Sequence, residues 1–209
     1  LESAKSLARP VVIHVDTIKG KGYAPAESRP GEYHGVGGFD PDGDGLPARK
    51  EGFSSAMGRY LVQLGEKDPN LCAVTAAMKN GTGLNFFAEK FPIRFFDPAI
   101  AEEHAVTFCA GLATQGFLPV FAVYSTFLQR SYDQILHDCA IEPKHVVFMI
   151  DRAGFVGDDG ETHQGLFDAA YLSTIPGLRI FSPESYDELR GCMDRALYQC
   201  TDRPVAVRY

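Results

Sequence analysis

The feature that most constrains the fold is the alternation of short apolar runs and helical patterns after residue 51. The apolar runs predict strands at residues 71–75, 94–97, 118–123, 146–150, 178–181 and 205–208. Helices are predicted near residues 54–64, 84–90, 101–115, 127–140 and 186–199. Strands that alternate with helices predict an α/β fold, a doubly wound, mostly parallel sheet with helices on both faces. Ligands bind such folds outside the carboxyl ends of the strands, so we expect any site on that rim.

Size and charge narrow the functional class. The chain has 209 residues, enough to bury a full core, and its net charge of -7 argues against nucleic acid as a partner. Its sequence contains neither an apolar run long enough to span a bilayer nor a signal-peptide pattern, so we expect a cytoplasmic protein without membrane contact. Five cysteines without a Cys-x-x-Cys pair indicate reduced core thiols. The chain begins at Leu1 rather than Met, and we interpret it as a piece of something longer.

The first fifty residues differ in character from the rest. A β-rich run at 11–16 is followed by the glycine turn Lys19-Gly-Lys-Gly22, and we interpret residues 24–50 as a linker rich in Pro, Gly and Asp. Residues 40–51 fit the EF-hand template for calcium, with carboxylates at the expected loop positions. The preceding glycine-rich stretch cannot supply the incoming helix that an EF-hand needs. We therefore interpret the match as accidental, with calcium binding as the alternative.

Glu102 lies in the first turn of the helix predicted at 101–115. Val106, Cys109 and Ala113 follow it at helical spacing and share its face. A carboxylate on an apolar face suits a proton-transfer group or a hydrogen-bond partner for a ligand. The alternative is a helix-capping glutamate that reaches solvent, and the helix alone does not decide between the two.

Two polar segments follow predicted strands on the same rim. The loop at 75–83, which contains Met78, has glycines and N–H groups that can cradle an anion, although a plain strand-to-helix turn also needs glycine. In Tyr124-Ser-Thr-Phe-Leu-Gln-Arg130, Phe127 offers a face for stacking a heterocycle and Arg130 suits a phosphate. A core phenylalanine and a surface arginine are the alternative.

The densest polar cluster is Asp151-Arg-Ala-Gly-Phe-Val-Gly-Asp-Asp-Gly-Glu-Thr-His-Gln-Gly165. It follows a predicted buried strand and holds four carboxylates, one arginine and one histidine between glycines. Loops of this kind at a strand's carboxyl end more often carry function than packing, and a solvated surface loop is the alternative. His163 is a candidate for proton transfer or for anchoring an anionic substrate.

Together these segments resemble the 1-deoxy-D-xylulose 5-phosphate synthases, a family of the transketolase-like thiamine diphosphate enzymes. The resemblance rests on motifs that run in order over almost the whole chain: Thr17-Ile-Lys-Gly-Lys-Gly-Tyr23, Thr75-Ala-Ala-Met78, Ala99-Ile-Ala-Glu102, Tyr124-Ser-Thr-Phe-Leu-Gln-Arg130, Tyr132-Asp-Gln134 and the cluster at 151–165.

The resemblance implies a domain organisation and a reaction. Residues 51–209 would form the pyrimidine-binding domain, residues 1–23 the tail of a preceding diphosphate-binding domain, and residues 24–50 a linker. The reaction would condense pyruvate with D-glyceraldehyde 3-phosphate, with loss of carbon dioxide. Its product would be 1-deoxy-D-xylulose 5-phosphate, a precursor of isoprenoids, thiamine and pyridoxal.

The resemblance also implies residue roles. Glu102 matches the glutamate that holds N1′ of the aminopyrimidine and so promotes loss of the C2 proton, and Phe127 matches the residue stacked on that ring. Lys19, Met78 and His34 match positions that face the cofactor and the substrate. The implied substrate pocket consists of Tyr124, Arg130, Arg152, Asp159 and His163, and the implied catalytic residues are Glu102, His163, Asp159 and His34.

Some residues of this chain differ from the family pattern, and some parts of the pattern have no match in the chain. Glu103, Pro98 and Asp158 differ from the usual residues, and we expect them to tune the site. The Gly-Asp-Gly…Asn motif that binds Mg²⁺ and the diphosphate has no match here, nor has the carboxy-terminal domain. We therefore expect those domains, the Mg²⁺ ligands and a homodimer partner outside this chain, and an inactive isolated chain. The alternatives are a pyrimidine-binding subunit of another transketolase-like enzyme and a non-catalytic module that binds a partner chain or calcium.

Overall fold

The computed structural model describes residues 1–43, 45–46, 51–157 and 160–209. The chain divides into two compact units, Leu1–Arg49 and Lys50–Tyr209. The first unit contains two short helices, α1 (Glu2–Lys5) and α2 (Ala24–Ser28). The rings of Tyr23, Tyr33 and Phe39 pack against one another there, with the Tyr23 and Tyr33 centroids 5.6 Å apart.

The first unit corrects one prediction and adds a short helix to the segment predicted as a linker. Residues 11–16 form no strand among the described residues, and Val12 is 95% exposed. β-branched residues favour a strand only where a neighbouring strand pairs with them, and this run has none among the described residues of its own unit. The predicted linker at 24–50 also begins with the helix α2. The EF-hand match includes residues 44 and 47–50, which lie outside the described residues.

The second unit is built on one sheet of six parallel strands. The strands are β1 (Leu71–Val74), β2 (Phe95–Phe96), β3 (Leu118–Tyr124), β4 (Val147–Asp151), β5 (Arg179–Phe181) and β6 (Val205–Arg208). Their order in the sheet is β2-β1-β3-β4-β6-β5, and every pairing is parallel. This arrangement confirms the predicted doubly wound α/β fold.

Helices cover both faces of the sheet because its strands alternate their side chains between two cores. The longer helices are α3 (Phe53–Lys67), α5 (Glu102–Thr114) and α9 (Tyr186–Tyr198), and the short helix α4 (Asn85–Lys90) precedes β2. Val74, Phe121 and Ile150 pack with residues of α5 in one core. Ala73, Val120 and Met149 pack with α3 and α9 in the other.

The helix predicted at 127–140 is the element whose observed structure differs most from the prediction. It consists of α6 (Ser125–Leu128), a 3₁₀ turn (Gln129–Ser131), α7 (Tyr132–Gln134) and a π-helical segment (Ile135–Ile141). Changes of winding within a helix often mark functional sites. The structure also contains α8 (Asp168–Leu172), a helix too short for its apolar spacing to predict.

Two further observations concern the chain as a whole. Within the described residues, no helix is both long enough and apolar enough to cross a membrane. All five cysteines are free, and Cys72, Cys109 and Cys139 are buried as predicted, whereas Cys192 and Cys200 are only partly buried. Burial raises the pKa of Cys109 well above its ordinary value, so this thiol stays protonated.

Candidate active site

The candidate site lies where the direction of the sheet reverses. From β1 the chain moves outward to β2 and then returns to the other side of β1 with β3, which creates a topological switch point between β1 and β3. The loops that follow these two strands meet there. A Cβ atom on Gly81 would overlap the hydroxyl of Tyr124, so only glycine allows this approach. Gly81 and Tyr124 therefore bring the loops after β1 and β3 into contact at the switch point.

Glu102 begins α5 and is 2% exposed. Val106 and Cys109, which share its face, are fully buried, as their spacing predicts. The solvent-reaching alternative is thus excluded for Glu102. Its Oε1 accepts a hydrogen bond from Nη1 of Arg130 at 2.8 Å, and the side chain of Arg130 is 48% exposed. The site therefore holds a buried carboxylate with an arginine that connects it to the surface.

Phe127 stands at the centre of the site. Its ring stacks with that of Tyr124 at a centroid distance of 5.8 Å, and the His163 ring meets it edge-on at 5.2 Å. The guanidinium of Arg130 lies over the same ring, with Cζ 5.1 Å from its centroid. Arg130 belongs to the 3₁₀ turn that directly follows α6, the helix that carries Phe127.

Arg152 is held from several sides at the end of β4. Its Nη1 donates to Oδ1 of Asp151 at 2.9 Å and to the carbonyl oxygen of Gly81 at 2.8 Å. Its Cζ lies 3.9 Å from the centroid of the Tyr124 ring, a cation–π distance. Arg152 thereby joins the β4 loop to both loops of the switch point.

Backbone strain is concentrated on this rim. Among the described residues, three non-glycine residues have positive φ: Ala77 at 59°, Ala99 at 64° and Arg152 at 56°. Each follows a strand, and an aspartate oxygen accepts a hydrogen bond from the backbone N–H of each. Oδ1 of Asp97 accepts from Ala77 and Ala99 at 2.8 and 3.0 Å, and Oδ1 of Asp151 accepts from Arg152 at 2.8 Å. Such conformations persist where the surroundings over-determine them.

The loop that carries His163 is braced from within. Gly154 and Gly165 exchange two backbone hydrogen bonds of 2.7 and 2.8 Å. The amide side chain of Gln164 donates to the carbonyl oxygen of Val156 and accepts from its N–H, both at 2.8 Å. His163 ends a 3₁₀ turn, and its Nδ1 lies 2.8 Å from the hydroxyl of Thr162. Asp159 and Asp158 lie outside the described residues.

Within the second unit, most of the described site residues predicted from the sequence lie together. The structure gathers Glu102, Phe127, Arg130, Tyr124, Arg152 and His163 on one rim. Met78 lies in the β1 loop but is buried in the core beneath it, where its carbonyl oxygen accepts from Thr82. Lys19 and His34 are exposed residues of the first unit.

Asp97, Asp151 and Gln164 have structural roles on the rim that their sequence patterns do not predict. The sequence feature that points to the two aspartates is their position, because Asp97 directly follows β2 and Asp151 ends β4. A carboxylate at a strand's end can bond the N–H groups of the turn that follows. Which N–H groups such a carboxylate bonds cannot be identified without the fold.

The donor set fits an aminopyrimidine ring better than a metal-bound diphosphate. The buried carboxylate of Glu102 can offer a heterocycle a hydrogen-bond partner, and the ring of Phe127, which lies under the same Arg130 guanidinium, can offer a stacking surface. Within the described ranges, no three His, Cys, Asp or Glu side chains are placed to hold a metal ion.

Fold and site define a doubly wound α/β domain with its candidate site at the switch point, and comparison with known proteins places it in a family. Residues 51–209 match the family described as transketolase, pyrimidine binding domain, and the chain belongs to that family.

Relatives are similar over the full length of the chain. It is 52% identical over 210 residues to the 1-deoxy-D-xylulose-5-phosphate synthase of Clostridium acetobutylicum, and 51% identical over 211 residues to synthase 1 of Geobacter sulfurreducens. Both alignments cover 100% of this chain but only 34% and 33% of the relatives. The chain therefore spans about a third of the length of the relatives it matches.

Solved structures show the same fold. Transketolase from Leishmania mexicana superposes with a TM-score of 0.68 and 22% identity, covering 78% of this chain and 26% of that one. A split-gene transketolase, described as an inactive β4 tetramer, gives a TM-score of 0.65 and 28% identity. That match covers 75% of this chain and 50% of the other.

Proposed function

We propose that this chain is the pyrimidine-binding part of a 1-deoxy-D-xylulose 5-phosphate synthase. The complete enzyme condenses pyruvate with D-glyceraldehyde 3-phosphate and releases carbon dioxide. The observation that carries the proposal is the buried carboxylate of Glu102, whose ion-pair partner Arg130 lies over the ring of Phe127. The 52% identity to the Clostridium acetobutylicum synthase supports this reaction among those of transketolase-like enzymes.

In this proposal Glu102 binds the aminopyrimidine of thiamine diphosphate. Glu102 is buried in the first turn of α5, and a hydrogen bond between a buried carboxylate and a ring nitrogen is not weakened by water. Phe127 offers the stacking surface. Thiamine diphosphate, when bound, supplies a carbon acid at C2 that acts as the nucleophile toward 2-oxo acids. Glu102 holds the proton at the ring nitrogen and so sets the protonation of the aminopyrimidine.

The remaining rim residues bind the substrates. Arg130 and Arg152 present positive charge to the carboxylate of pyruvate and the phosphate of the aldehyde. In this proposal His163, which meets Phe127 edge-on, exchanges protons with substrate oxygens, and Tyr124 separates the loops of β1 and β3. Asp159, Met78, Lys19 and His34 are proposed to complete the site, on the family resemblance alone.

The complete enzyme needs further parts. We place the diphosphate-binding and carboxy-terminal domains and the Mg²⁺ ligands outside this chain, and a homodimer in the cytoplasm as the complete enzyme. The chain alone is then inactive. The similar split-gene transketolase, whose subunit forms an inactive β4 tetramer, supports this expectation.

A chimera tests the proposal. The segment of the Clostridium acetobutylicum synthase that aligns with this chain is replaced by residues 1–209, so that the relative supplies the other domains. We expect product formation from pyruvate and D-glyceraldehyde 3-phosphate. Glu102→Gln should abolish exchange of the C2 hydrogen of bound cofactor for deuterium, measured by NMR after acid quench.

Glu103→Gln is the matched control, since it changes the same charge one residue away on the exposed side of α5. We expect this variant to retain exchange. A chimera that binds cofactor yet forms no product would overturn the proposal, and so would unchanged exchange in the Glu102→Gln variant.

A further inference from the structure

Asp97 holds two different loops with one carboxylate oxygen. It directly follows β2, and its Oδ1 accepts hydrogen bonds from the backbone N–H of Ala77 at 2.8 Å and from that of Ala99 at 3.0 Å. Ala77 lies in the loop after β1, and Ala99 lies in the segment between β2 and α5. The side chain of Asp97 therefore fixes the loop after β1 relative to the turn that leads into α5.

Both of these N–H groups belong to strained residues. The φ of Ala77 is 59° and that of Ala99 is 64°, in a region where the backbone crowds a Cβ atom. An alanine remains in this region only where its surroundings hold it, and Asp97 provides the acceptor that both residues share. Without that acceptor we expect both alanines to relax toward negative φ, which changes the direction of the chain after each of them.

Glu102 comes directly after one of these turns. The N–H of Ala101 donates to the carbonyl oxygen of Ala99 at 2.8 Å, and the carbonyl oxygen of Ala101 accepts from the N–H of Ala105 at 2.9 Å. Ala101 is the N-cap of α5, and Glu102 is the first residue of that helix. Backbone hydrogen bonds thus connect Ala99, which Asp97 holds, to the first turn of α5. A rotation at Ala99 would change the direction of the Glu102 carboxylate.

Asp68 forms the same local turn away from the site. Its Oδ1 accepts from the N–H of Asn70 at 2.9 Å, two residues further along the chain, just as Oδ1 of Asp97 accepts from Ala99. Asp68 precedes β1 and lies at the amino end of that strand, opposite the rim. What distinguishes Asp97 is its additional bond to Ala77, 20 residues earlier in the chain, and the position of Glu102 after its turn.

We propose that Asp97 is a positioning residue that directs the carboxylate of Glu102 toward the ring nitrogen of the aminopyrimidine. It acts through the backbone of residues 98–101 and contacts neither cofactor nor substrate. This role rests on the proposed function, in which Glu102 sets the protonation of that ring. Loss of Asp97 turns the carboxylate away from the nitrogen, and a misplacement of about 1 Å can slow a reaction roughly a hundredfold.

The test uses the active chimera with saturating thiamine diphosphate and no substrate. For each variant we measure C2 hydrogen exchange by NMR, the dissociation constant of the cofactor by calorimetry, and the urea midpoint. Asp97→Ala should slow exchange roughly ten- to a hundredfold and raise the dissociation constant. Asp97→Asn keeps an Oδ1 acceptor for both N–H groups and should retain most of the exchange rate. Asp68→Ala, the matched control, removes only a local turn and should leave exchange unchanged.

A second substitution separates positioning from stability. Ala99→Gly removes the strain at a φ of 64°, so adding it to Asp97→Ala should raise the urea midpoint while exchange stays slow. This double variant also carries the test if Asp97→Ala alone fails to fold. Recovery of the exchange rate together with the midpoint would mean that Asp97 only stabilises the fold, which overturns the inference. Unchanged exchange in a folded Asp97→Ala chimera, where Glu102→Gln abolishes exchange, would overturn it too and leave the proposed function standing.

Discussion

Arg130 and Glu102, 28 positions apart in the chain, form an ion pair of 2.8 Å that reaches from the surface into the core. Only 3% of the Glu102 side chain is exposed, whereas Arg130 is exposed to 48%. Removing a carboxylate from water costs free energy, and its counter-ion offsets part of that cost. The pair therefore makes a buried acid tolerable at the start of α5.

Removing Arg130 should for this reason destabilise the chain. We expect Arg130→Met to lower the free energy of unfolding by about 2 kcal/mol, less than for a fully buried pair because solvent reaches Arg130. The double variant Glu102→Gln with Arg130→Met should recover most of that loss, since no unpaired charge remains. Urea denaturation followed by circular dichroism measures the free energy of unfolding of both variants.

The exposed pair between Arg179 and Asp202 is the matched control for this experiment. Its atoms are also 2.8 Å apart, but its side chains are 43% and 60% exposed. Arg179→Met should leave the unfolding midpoint unchanged within error, because water screens such a pair. Equal effects of Arg130→Met and Arg179→Met would contradict our interpretation of the buried pair.

Asp97 should stabilise the two strained turns that it bonds. Asp97→Ala removes the acceptor shared by the N–H groups of Ala77 and Ala99, and we expect a loss of about 1–2 kcal/mol in unfolding free energy. Asp97→Asn keeps an Oδ1 acceptor and should lose less. Adding Ala99→Gly to Asp97→Ala should restore part of the stability, since glycine accepts a φ of 64° without strain. If glycine brings no recovery, strain at Ala99 is not what Asp97 opposes.

His145 should make the folded state sensitive to acid. Its Nε2 donates to the carbonyl oxygen of Ala196 at 2.8 Å, and burial lowers its pKa below the ordinary 6.5, although this hydrogen bond opposes the shift. The unfolded chain therefore takes up this proton at a higher pH than the folded chain does. Stability should fall as the pH drops through 6.5 and should level off below the pKa of the folded state.

The substitution His145→Gln isolates this effect, because glutamine also has an N–H donor but does not titrate. We expect the variant to lose the pH dependence that the wild type shows between about pH 7 and the folded-state pKa. Urea midpoints across this range provide the measurement. Parallel midpoint curves for the two proteins would assign the acid sensitivity to other groups.

Much of the second unit can be predicted from the sequence because its signals are local. The six strand positions follow from apolar runs, and β6 has the bounds that its apolar run predicts. The helical pattern at 127–140 is less informative, since apolar spacing does not distinguish continuous α-helix from a segment with 3₁₀ and π turns. The prediction at 11–16 is wrong for a different reason, because a strand depends on a partner that its own residues do not reveal.

The candidate site is predictable as a set of residues but not as a set of contacts. Loops at the carboxyl ends of parallel strands share one rim, and this rule alone predicts that Glu102, Phe127 and His163 lie on the same edge. The pairing of Arg130 with Glu102, and of Asp151 with Arg152, depends on side-chain directions that only the packed loops determine. The sequence predicts a phosphate ligand for Arg130 but gives no sign that its guanidinium also pairs with Glu102 within the chain.

The sheet ends at both edges in very short strands, two residues in β2 and three in β5. A short edge presents few unpaired backbone groups to another strand, so the sheet gives little opportunity for strand addition or for edge-to-edge aggregation. Other domains that approach this unit are therefore expected to meet helix faces and rim loops. Residues on those loops can change what the domain binds while the six-stranded sheet stays the same.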